Sequence, residues 1–454
     1  MHYKLSLPIM SGCLDLGIAK PDQYKEVAKT LAVEGIEFVV LMEDRQPDFF
    51  LKYDTYNAES FVRLNRHGPY NNNRYYPTQN DLKLFVQAFH DAGIAIHYGF
   101  WVHENRWINK RHPELLLTDS NGIRLHSEHF LYDFNPLLKM EQDCEYGIRK
   151  DEVFAEYVCE QYSNLADDFG FDGLFLGDGG MGFRIFGNDS IGVNCYDYSN
   201  SSMVQFAASE YCHNVNDHDC LLSKEKKEKS LMRTLGTITS NHGLRTTDFS
   251  NDIWSYHQKE WISWNCAEWS NFYKTLAEYL HINKNEKLGA FNCMNYGPQQ
   301  ALMHGIDYSA IVMSGLDYLV FQTYDYAWGT HFKLDKKDTT TNFQELVSLN
   351  RYLLASSSRS KIKILFTAET SDSIENWHCP STKTLEETRI YSQHATQGKL
   401  DNNMSNVNSN SFIDDDNSIL TPITDGSFIV WMNDTPKDLI SQIRCNFGAN
   451  LEKK

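Results

Sequence analysis

The sequence predicts an α/β fold, a (β/α)8 TIM barrel with elaborated loops, notably after strand four. Three observations support this prediction. Short apolar runs alternate eight times with longer amphipathic stretches, as in βαβ units that build a parallel sheet. Several runs are apolar throughout, as strands buried on both faces are. A chain of 454 residues is also long enough for a barrel of roughly 250 residues or more with insertions.

The predicted elements follow one another in a regular order. The eight strands are predicted at residues 4–10, 35–42, 94–100, 172–176, 287–292, 316–323, 362–367 and 428–432. Helices are predicted between them, among others at residues 21–33, 80–92, 151–169, 254–280 and 436–447. Pro21 suits the first position of a helix, and Gly93 and Gly170 suit the positions just after a helix end. Tryptophans of the helix at 254–280 (Trp254, Trp261 and Trp264) are expected in the core.

A single domain is predicted over residues 1–454. The stretch at 181–250 is interpreted as a loop insertion within the barrel, after strand four. The segment at 398–425 is dominated by Asn, Asp and Ser and is expected to be a flexible surface loop.

Composition and charge exclude several classes of partner. The formal net charge of -18 opposes binding to nucleic acid or to an anionic membrane, because both would require a basic surface. Ten scattered cysteines favour reduced thiols, and no secretory leader or transmembrane segment is apparent. We therefore expect a cytoplasmic protein, or a secreted one if a leader has been removed. The oligomeric state stays open.

Polar residues cluster just after the predicted strands. In a parallel barrel the carboxyl ends of all strands surround one pocket, so these residues are the candidates for chemistry. The candidate substrate-binding residues are Glu43, Asp44, His97, Trp101, His103, Arg106, Asn292, Tyr324 and Trp328. Flat aromatic rings among them suit the apolar faces of sugar rings.

Two acids stand out as a catalytic pair. Asp178 follows the buried fourth strand among glycines, and Asp325 lies between two tyrosines after strand six. Glycoside cleavage requires one carboxylate at the developing oxocarbenium carbon and a second carboxyl that protonates the leaving oxygen. The apolar rings beside Asp325 could raise its pKa towards that of a general acid. Glu369, after strand seven, is the alternative acid.

The segment from Gly170 to Asp178, with the sequence GFDGLFLGD, resembles the fourth strand of the (β/α)8 glycoside hydrolases of the α-galactosidase and α-amylase type. This resemblance implies a retaining glycosidase or transglycosidase that acts on an α-linked oligosaccharide or glycoside. It further implies that Asp178 is the nucleophile and that Asp325 is the acid/base.

Two alternatives remain open. A carbohydrate-binding barrel without catalysis would keep the aromatic cleft, and a metal-dependent sugar-processing hydrolase would use His and Asp clusters. The stretch at 213–220 groups His213, Asp217, His218, Asp219 and Cys220, but its spacing fits no common zinc pattern. No metal is therefore predicted. Since no Gly-rich phosphate loop follows the first strand, no cofactor is predicted either.

Overall fold

The computed structural model describes the strands, most helices and the junctions between them. The described residues are 9–14, 16–42, 79–101, 116–118, 154–177, 202, 205–206, 208–213, 257–292, 302, 305–321, 362–368, 425–429, 432, 440–441 and 443–444. The eight strands are all parallel and form a closed barrel in chain order, β1 to β8. The predicted (β/α)8 fold class is confirmed.

The elements alternate as in a βα repeat. The strands are β1 Ile9–Leu14, β2 Ile36–Met42, β3 Ala95–Trp101, β4 Gly173–Gly177, β5 Lys287–Asn292, β6 Tyr318–Phe321, β7 Lys363–Ala368 and β8 Gly426–Ile429. The helices are α1 Tyr24–Val33, α2 Gln79–Asp91, α3 Phe154–Phe169, α4 Glu210–His213, α5 Gln258–Tyr279 and α6 Tyr308–Met313. Short 3₁₀ turns occur at Leu16–Ile18 and Pro21–Gln23, and a π turn at Leu280–Lys284 continues α5. No helix within the described part is long and apolar enough to span a membrane.

Most strand boundaries agree with the predictions within two residues, and β5 agrees at both ends. The first strand differs, because β1 continues to Leu14, four residues past its predicted end. Met10 and Leu14 pack outwards into the core under the helices, so the alternation of a strand directs Ser11 and Cys13 into the barrel. Because small and polar residues occupy its inward positions, the second half of this strand lacks a continuous apolar run and was not predicted. The proposed insertion at 181–250 and the loop at 398–425 lie almost entirely outside the described residues.

The core has an outer layer between the strands and the helices. Aromatic and aliphatic side chains of α1, α2, α3 and α5 meet the outward-facing residues of the strands there. Trp261 and Trp264 of α5 are buried, as the sequence analysis expected. Trp261, Trp269 and Leu276 show no exposed surface, so α5 contributes a continuous buried face.

A second layer of aromatic rings fills the inside of the barrel. Phe38 of β2 contacts Tyr318 of β6 with ring centroids 4.8 Å apart, and Phe175 of β4 stacks on Phe428 of β8 at 5.5 Å. Because these strands are not neighbours, the contacts pass through the barrel interior. Glycine makes room for them, since a Cβ at Gly289 of β5 would lie 2.0 Å from the Tyr318 ring. The interior is therefore a packed core, as is usual in this fold.

Three aspartates stand in equivalent positions at the rim where the strands begin. Asp172, Asp317 and Asp425 directly precede β4, β6 and β8. Each carboxylate accepts a hydrogen bond of 2.8 Å from a backbone amide of the preceding strand, donated by Ile96, Leu288 and Ile364 respectively. We call this arrangement an aspartate clip, because it joins an odd-numbered strand to the next even-numbered one.

Each clip also has a basic partner. His90 of α2 lies 2.7 Å from Asp172, and His281 of the π turn lies 2.7 Å from Asp317. Lys287 and Lys363, the first residues of β5 and β7, lie 3.2 Å and 3.6 Å from the carboxylates of Asp317 and Asp425. These side-chain contacts add to the backbone hydrogen bonds, so the clips hold strand pairs and helix ends together at this rim.

Candidate active site

The opposite rim, where the strands end, is the candidate active site. In this fold the active site lies at the carboxyl ends of the strands. β2 ends at Met42, β4 at Gly177 and β7 at Ala368. The next residues along the chain are Glu43, Asp178 and Glu369. Three of the predicted acids therefore follow directly on barrel strands that end at one rim.

Most predicted site residues lie outside the described residues. These are Asp178, Asp325, Glu369, Glu43, Asp44, His103, Arg106, Tyr324 and Trp328. His97, Trp101 and Asn292 lie on described strands.

Trp101 and Asn292 occupy the last positions of their strands. Trp101 ends β3 and stands in register with Gly177, the last residue of β4. Asn292 ends β5 and stands in register with Phe321, the last residue of β6. Both backbones thus reach the rim where the pocket is expected, on either side of the chain that continues into Asp178.

His97 lies deeper in the barrel. Its ring is 3% exposed, and it stacks on Phe38 with ring centroids 4.8 Å apart. Its Nδ1 lies 2.5 Å from the hydroxyl of Tyr318, in a hydrogen bond whose donor is set by the histidine tautomer. These contacts give His97 a part in filling the barrel, and its predicted role in binding sugar hydroxyls gains no support from them.

The electrostatics of His97 agree with this placement. Burial lowers the pKa of His97 to about 4, against the opposing influence of the Asp172 and Asp317 carboxylates; Lys287 lowers it further. Burial, followed by the charge of Asp317, raises the pKa of Tyr318. Both side chains are therefore neutral near pH 7, and a neutral hydrogen-bonded pair is the form that a barrel interior accepts at least cost.

Tyr318 is an interior residue that the sequence analysis did not single out. It contacts Phe38, His97 and Phe175 across the barrel. Its partner His97 is 221 positions away along the chain, so no local pattern connects the two. The glycine at position 289, opposite Tyr318 in the register of β5 and β6, is the one sequence signal that such a large inward ring could have left.

The chain between β4 and α5 returns to the barrel through a small aromatic cluster. Phe206 lies edge-on to Trp261 at 4.9 Å and contacts Trp264 at 5.5 Å. It also lies 6.2 Å from the ring of His257, which directly precedes α5. This helix follows strand four and leads back to β5, so its first turns belong to the rim where β4 ends. The contacts therefore anchor the described part of this connection next to the candidate site.

Metal-dependent chemistry would require a cluster of ligating side chains. Among the described residues, no three His, Cys, Asp or Glu side chains are grouped so that they could hold a metal ion. From residue 214 onwards, the stretch at 213–220 lies outside those residues.

Comparisons with known proteins identify relatives by fold. No family model matches the sequence. No curated protein matches it either. The catalytic domain of the β-amylase from Paenibacillus polymyxa is similar in structure, with a TM-score of 0.51, 11% identity and coverage of 98% of both chains. The β-galactosidase from the psychrophilic Marinomonas ef1 is similar with a TM-score of 0.50 and 11% identity, over 93% of this chain but only 54% of that one. At such identities the likeness concerns the fold, and this chain shares its (β/α)8 barrel with enzymes that are glycoside hydrolases.

Proposed function

We propose that this chain is a glycosidase or transglycosidase that works with two carboxylates. The observation that carries the proposal is the position of Asp178, which follows directly on Gly177 at the end of the buried strand β4. In a closed parallel barrel, a polar residue at that point is typical of catalysis rather than of stability. The two fold relatives with TM-scores of 0.50 and 0.51 are a β-galactosidase and a β-amylase, which supports the reaction class.

In this proposal Asp178 attacks the anomeric carbon and Asp325 serves as the acid/base. Asp325 protonates the leaving oxygen, then takes a proton from the water or the acceptor alcohol that releases the sugar from Asp178. Retention requires the two carboxyl groups to lie about 5 to 5.5 Å apart, and inversion requires a larger separation. Glu369, directly after β7, is the alternative acid. The resemblance of the segment at 170–178 to α-galactosidases and α-amylases favours an α-linked substrate.

The rest of the rim is assigned to substrate binding. Glu43 and Asp44 would grip adjacent sugar hydroxyls, and Asn292 would donate to or accept from another. Trp101 and Trp328 would stack on the apolar face of a pyranose ring. An acidic protein with net charge -18 binds such a neutral ligand without the electrostatic cost that an anionic substrate would meet.

The test is hydrolysis of a panel of nitrophenyl α- and β-glycosides and oligosaccharides by the wild type and by D178N. The matched control is D168N, the same change at an exposed residue near the end of α3, at the opposite rim. We expect D178N to lose activity on the order of 10⁴-fold and D168N to keep it. Covalent labelling of Asp178 by a 2-fluoro glycosyl fluoride, located by peptide mass spectrometry, would identify the nucleophile directly.

Other outcomes would reject parts of the proposal. Activity that survives in D178N would remove Asp178 from the mechanism and direct attention to Asp325, Glu369 and the acids after β2. Binding of oligosaccharides without any turnover by the wild type would favour the carbohydrate-binding barrel. Activity that is lost with a chelator and restored by a divalent metal would favour the metal-dependent hydrolase.

A further inference from the structure

Two polar groups lie close together at the rim where the strands begin, on the opposite side from the proposed chemistry. Tyr162 of α3 has no exposed surface, and Glu286 directly precedes β5. Within the described part of the protein, neither the Tyr162 hydroxyl nor Oε2 of Glu286 completes a hydrogen bond, although both atoms are buried. Buried polar groups are normally paired, and these two side chains lie close enough for each to influence the pKa of the other.

The local backbone fixes Glu286 in this place. The π turn Leu280–Lys284 ends at Asn285, which has a left-handed conformation with φ of 54°. The amide of Glu286 then donates to the carbonyl of Leu280 at 3.1 Å. Lys284 of the same turn pairs with Asp167 of α3 at 2.6 Å. The turn is thereby tied to the helix that carries Tyr162, and the backbone at Glu286 is held in place.

Titratable groups face Glu286 from every element packed against it. α3 contributes Tyr162 and Asp167, the turn contributes Lys284, and the segment before β4 contributes Asp172. Burial raises the pKa of Glu286 to about 7; the Tyr162 hydroxyl and Lys284 oppose this rise, while Asp167 and Asp172 add to it. The pKa of Tyr162 is raised by burial and by Glu286, so its hydroxyl keeps its proton. Glu286 is therefore the group that changes charge near neutral pH.

We propose that the junction of α3 with β5 is a pH-sensitive latch. It is closed while the Glu286 carboxyl is protonated against Tyr162, and it is loosened when the carboxylate forms beside Asp167 and Asp172. Protonation removes a half-buried negative charge from between two others, whereas ionisation draws the side chain towards water. The proton comes from the solvent, and no other reactant is needed.

The direction of the pH dependence follows from linkage. A carboxyl whose pKa is higher in the folded state than its ordinary value of 4.5 holds its proton more tightly when folded. Its contribution to stability is complete below pH 4.5 and is lost as the pH rises through about 7. Because other groups also titrate over this range, the latch must be measured against a variant at the same pH.

The experiment compares thermal unfolding of the full chain as wild type, E286Q and E278Q between about pH 5 and pH 8.5. The glutamine introduced by E286Q imitates the protonated carboxyl at every pH. Glu278 is the control, since it is exposed near the end of α5 and pairs with Lys274 at 3.8 Å. We expect E286Q to unfold at the same temperature as the wild type near pH 5 and at least about 2 °C higher near pH 8.5. The difference between E278Q and the wild type should not change with pH.

A second variant and a local measurement protect the test against misfolding of E286Q. Y162F removes the hydroxyl that opposes the rise in pKa, so it should enlarge the pH-dependent loss of stability. Hydrogen exchange, corrected for its intrinsic pH dependence, should show faster opening of residues 280–292 at pH 8 than at pH 6 in the wild type. A difference between E286Q and wild type that is constant with pH, or exchange at 280–292 that does not change, would overturn the proposal.

Discussion

Asp172 and Ile96 are joined by two hydrogen bonds of 2.8 Å. The backbone amide of Asp172 donates to the carbonyl of Ile96, and the amide of Ile96 donates to the Asp172 carboxylate. The same reciprocal pair links Asp317 with Leu288 and Asp425 with Ile364. All three pairs lie at the rim where the strands begin, away from the proposed active site, and this separation makes stability and activity independently testable.

Replacing Asp317 with alanine should destabilise the protein without affecting turnover. The Asp317 carboxylate accepts from the Leu288 amide and contacts His281 and Lys287. Loss of a hydrogen bond to a charged group costs about 1.5 to 3 kcal/mol, and urea denaturation should show a loss of this size. D168A, at an exposed site, should cost far less. A D317A variant with unchanged stability and reduced kcat/KM would contradict a structural role for the clip.

His97 should make the protein sensitive to acid. Its folded pKa of about 4 lies below the ordinary value of 6.5, so the unfolded chain binds the proton more tightly. The contribution of neutral His97 to the free energy of unfolding is therefore complete above pH 6.5. It is lost as the pH falls towards 4, by on the order of 3 kcal/mol. Urea midpoints between about pH 7 and pH 4 would measure this loss.

The matched variant for this prediction is H97F/Y318F, which removes both partners of the buried hydrogen bond and keeps aromatic rings in place. Its stability should fall less steeply with acid than that of the wild type. Y318F alone keeps the histidine and should keep the steep fall. Parallel acid profiles for the wild type and the double variant would show that His97 does not titrate in this range.

Alanine at position 289 should be far more harmful than alanine at position 93. A Cβ on residue 289 would overlap the Tyr318 ring and disturb the hydrogen bond to His97, at a cost of about 3 kcal/mol or more. Gly93 has φ of 78° but no atom within 4 Å of such a Cβ. G93A should thus cost only the left-handed backbone, about 1 to 2 kcal/mol. Equal losses of unfolding free energy would contradict a filled interior.

The proposed roles of Asp178 and Asp325 predict different kinetic defects. D325N should slow substrates with poor leaving groups by about 10² to 10⁴-fold and affect activated aryl glycosides less, since these leave without protonation. D178N should slow both alike. Proton NMR of the first sugar released should show retained configuration; inversion would instead assign a pair of carboxylates with a larger separation.

The sequence predicted the fold because its signal is local. Apolar runs such as residues 38–41 mark buried strands, and the glycines at 93 and 170 mark helix ends. Two of the three clips also have a local signal, which the strand predictions did not use. Gly170-Phe171-Asp172 and Gly315-Leu316-Asp317 repeat one pattern before β4 and β6, with both glycines at positive φ. An aspartate in that pattern predicts the start of a strand rather than a catalytic residue.

The inside of the barrel could not be predicted in the same way. His97 was grouped with substrate-binding residues because histidine is polar, whereas its surroundings are built by Phe38 and Tyr318 from distant parts of the chain. Likewise, nothing in the sequence near Glu286 indicates Tyr162, which reaches it from another helix. Contacts between strands that are not neighbours depend on closure of the barrel, and closure is a property of the whole sheet.

The clips also divide this barrel into strand pairs that could be exchanged as units with another barrel. Because they link β3 with β4, β5 with β6 and β7 with β8, a cut between β4 and β5 or between β6 and β7 leaves every clip whole. The β1–β2 pair has no clip of this kind among the described residues. Its register shifts between Met10 and Ser11, and Glu37 rather than an aspartate directly precedes Phe38. A chimera with another barrel, or a circular permutant, should therefore be joined at the boundaries between pairs, so that each transplanted strand pair keeps its own clip.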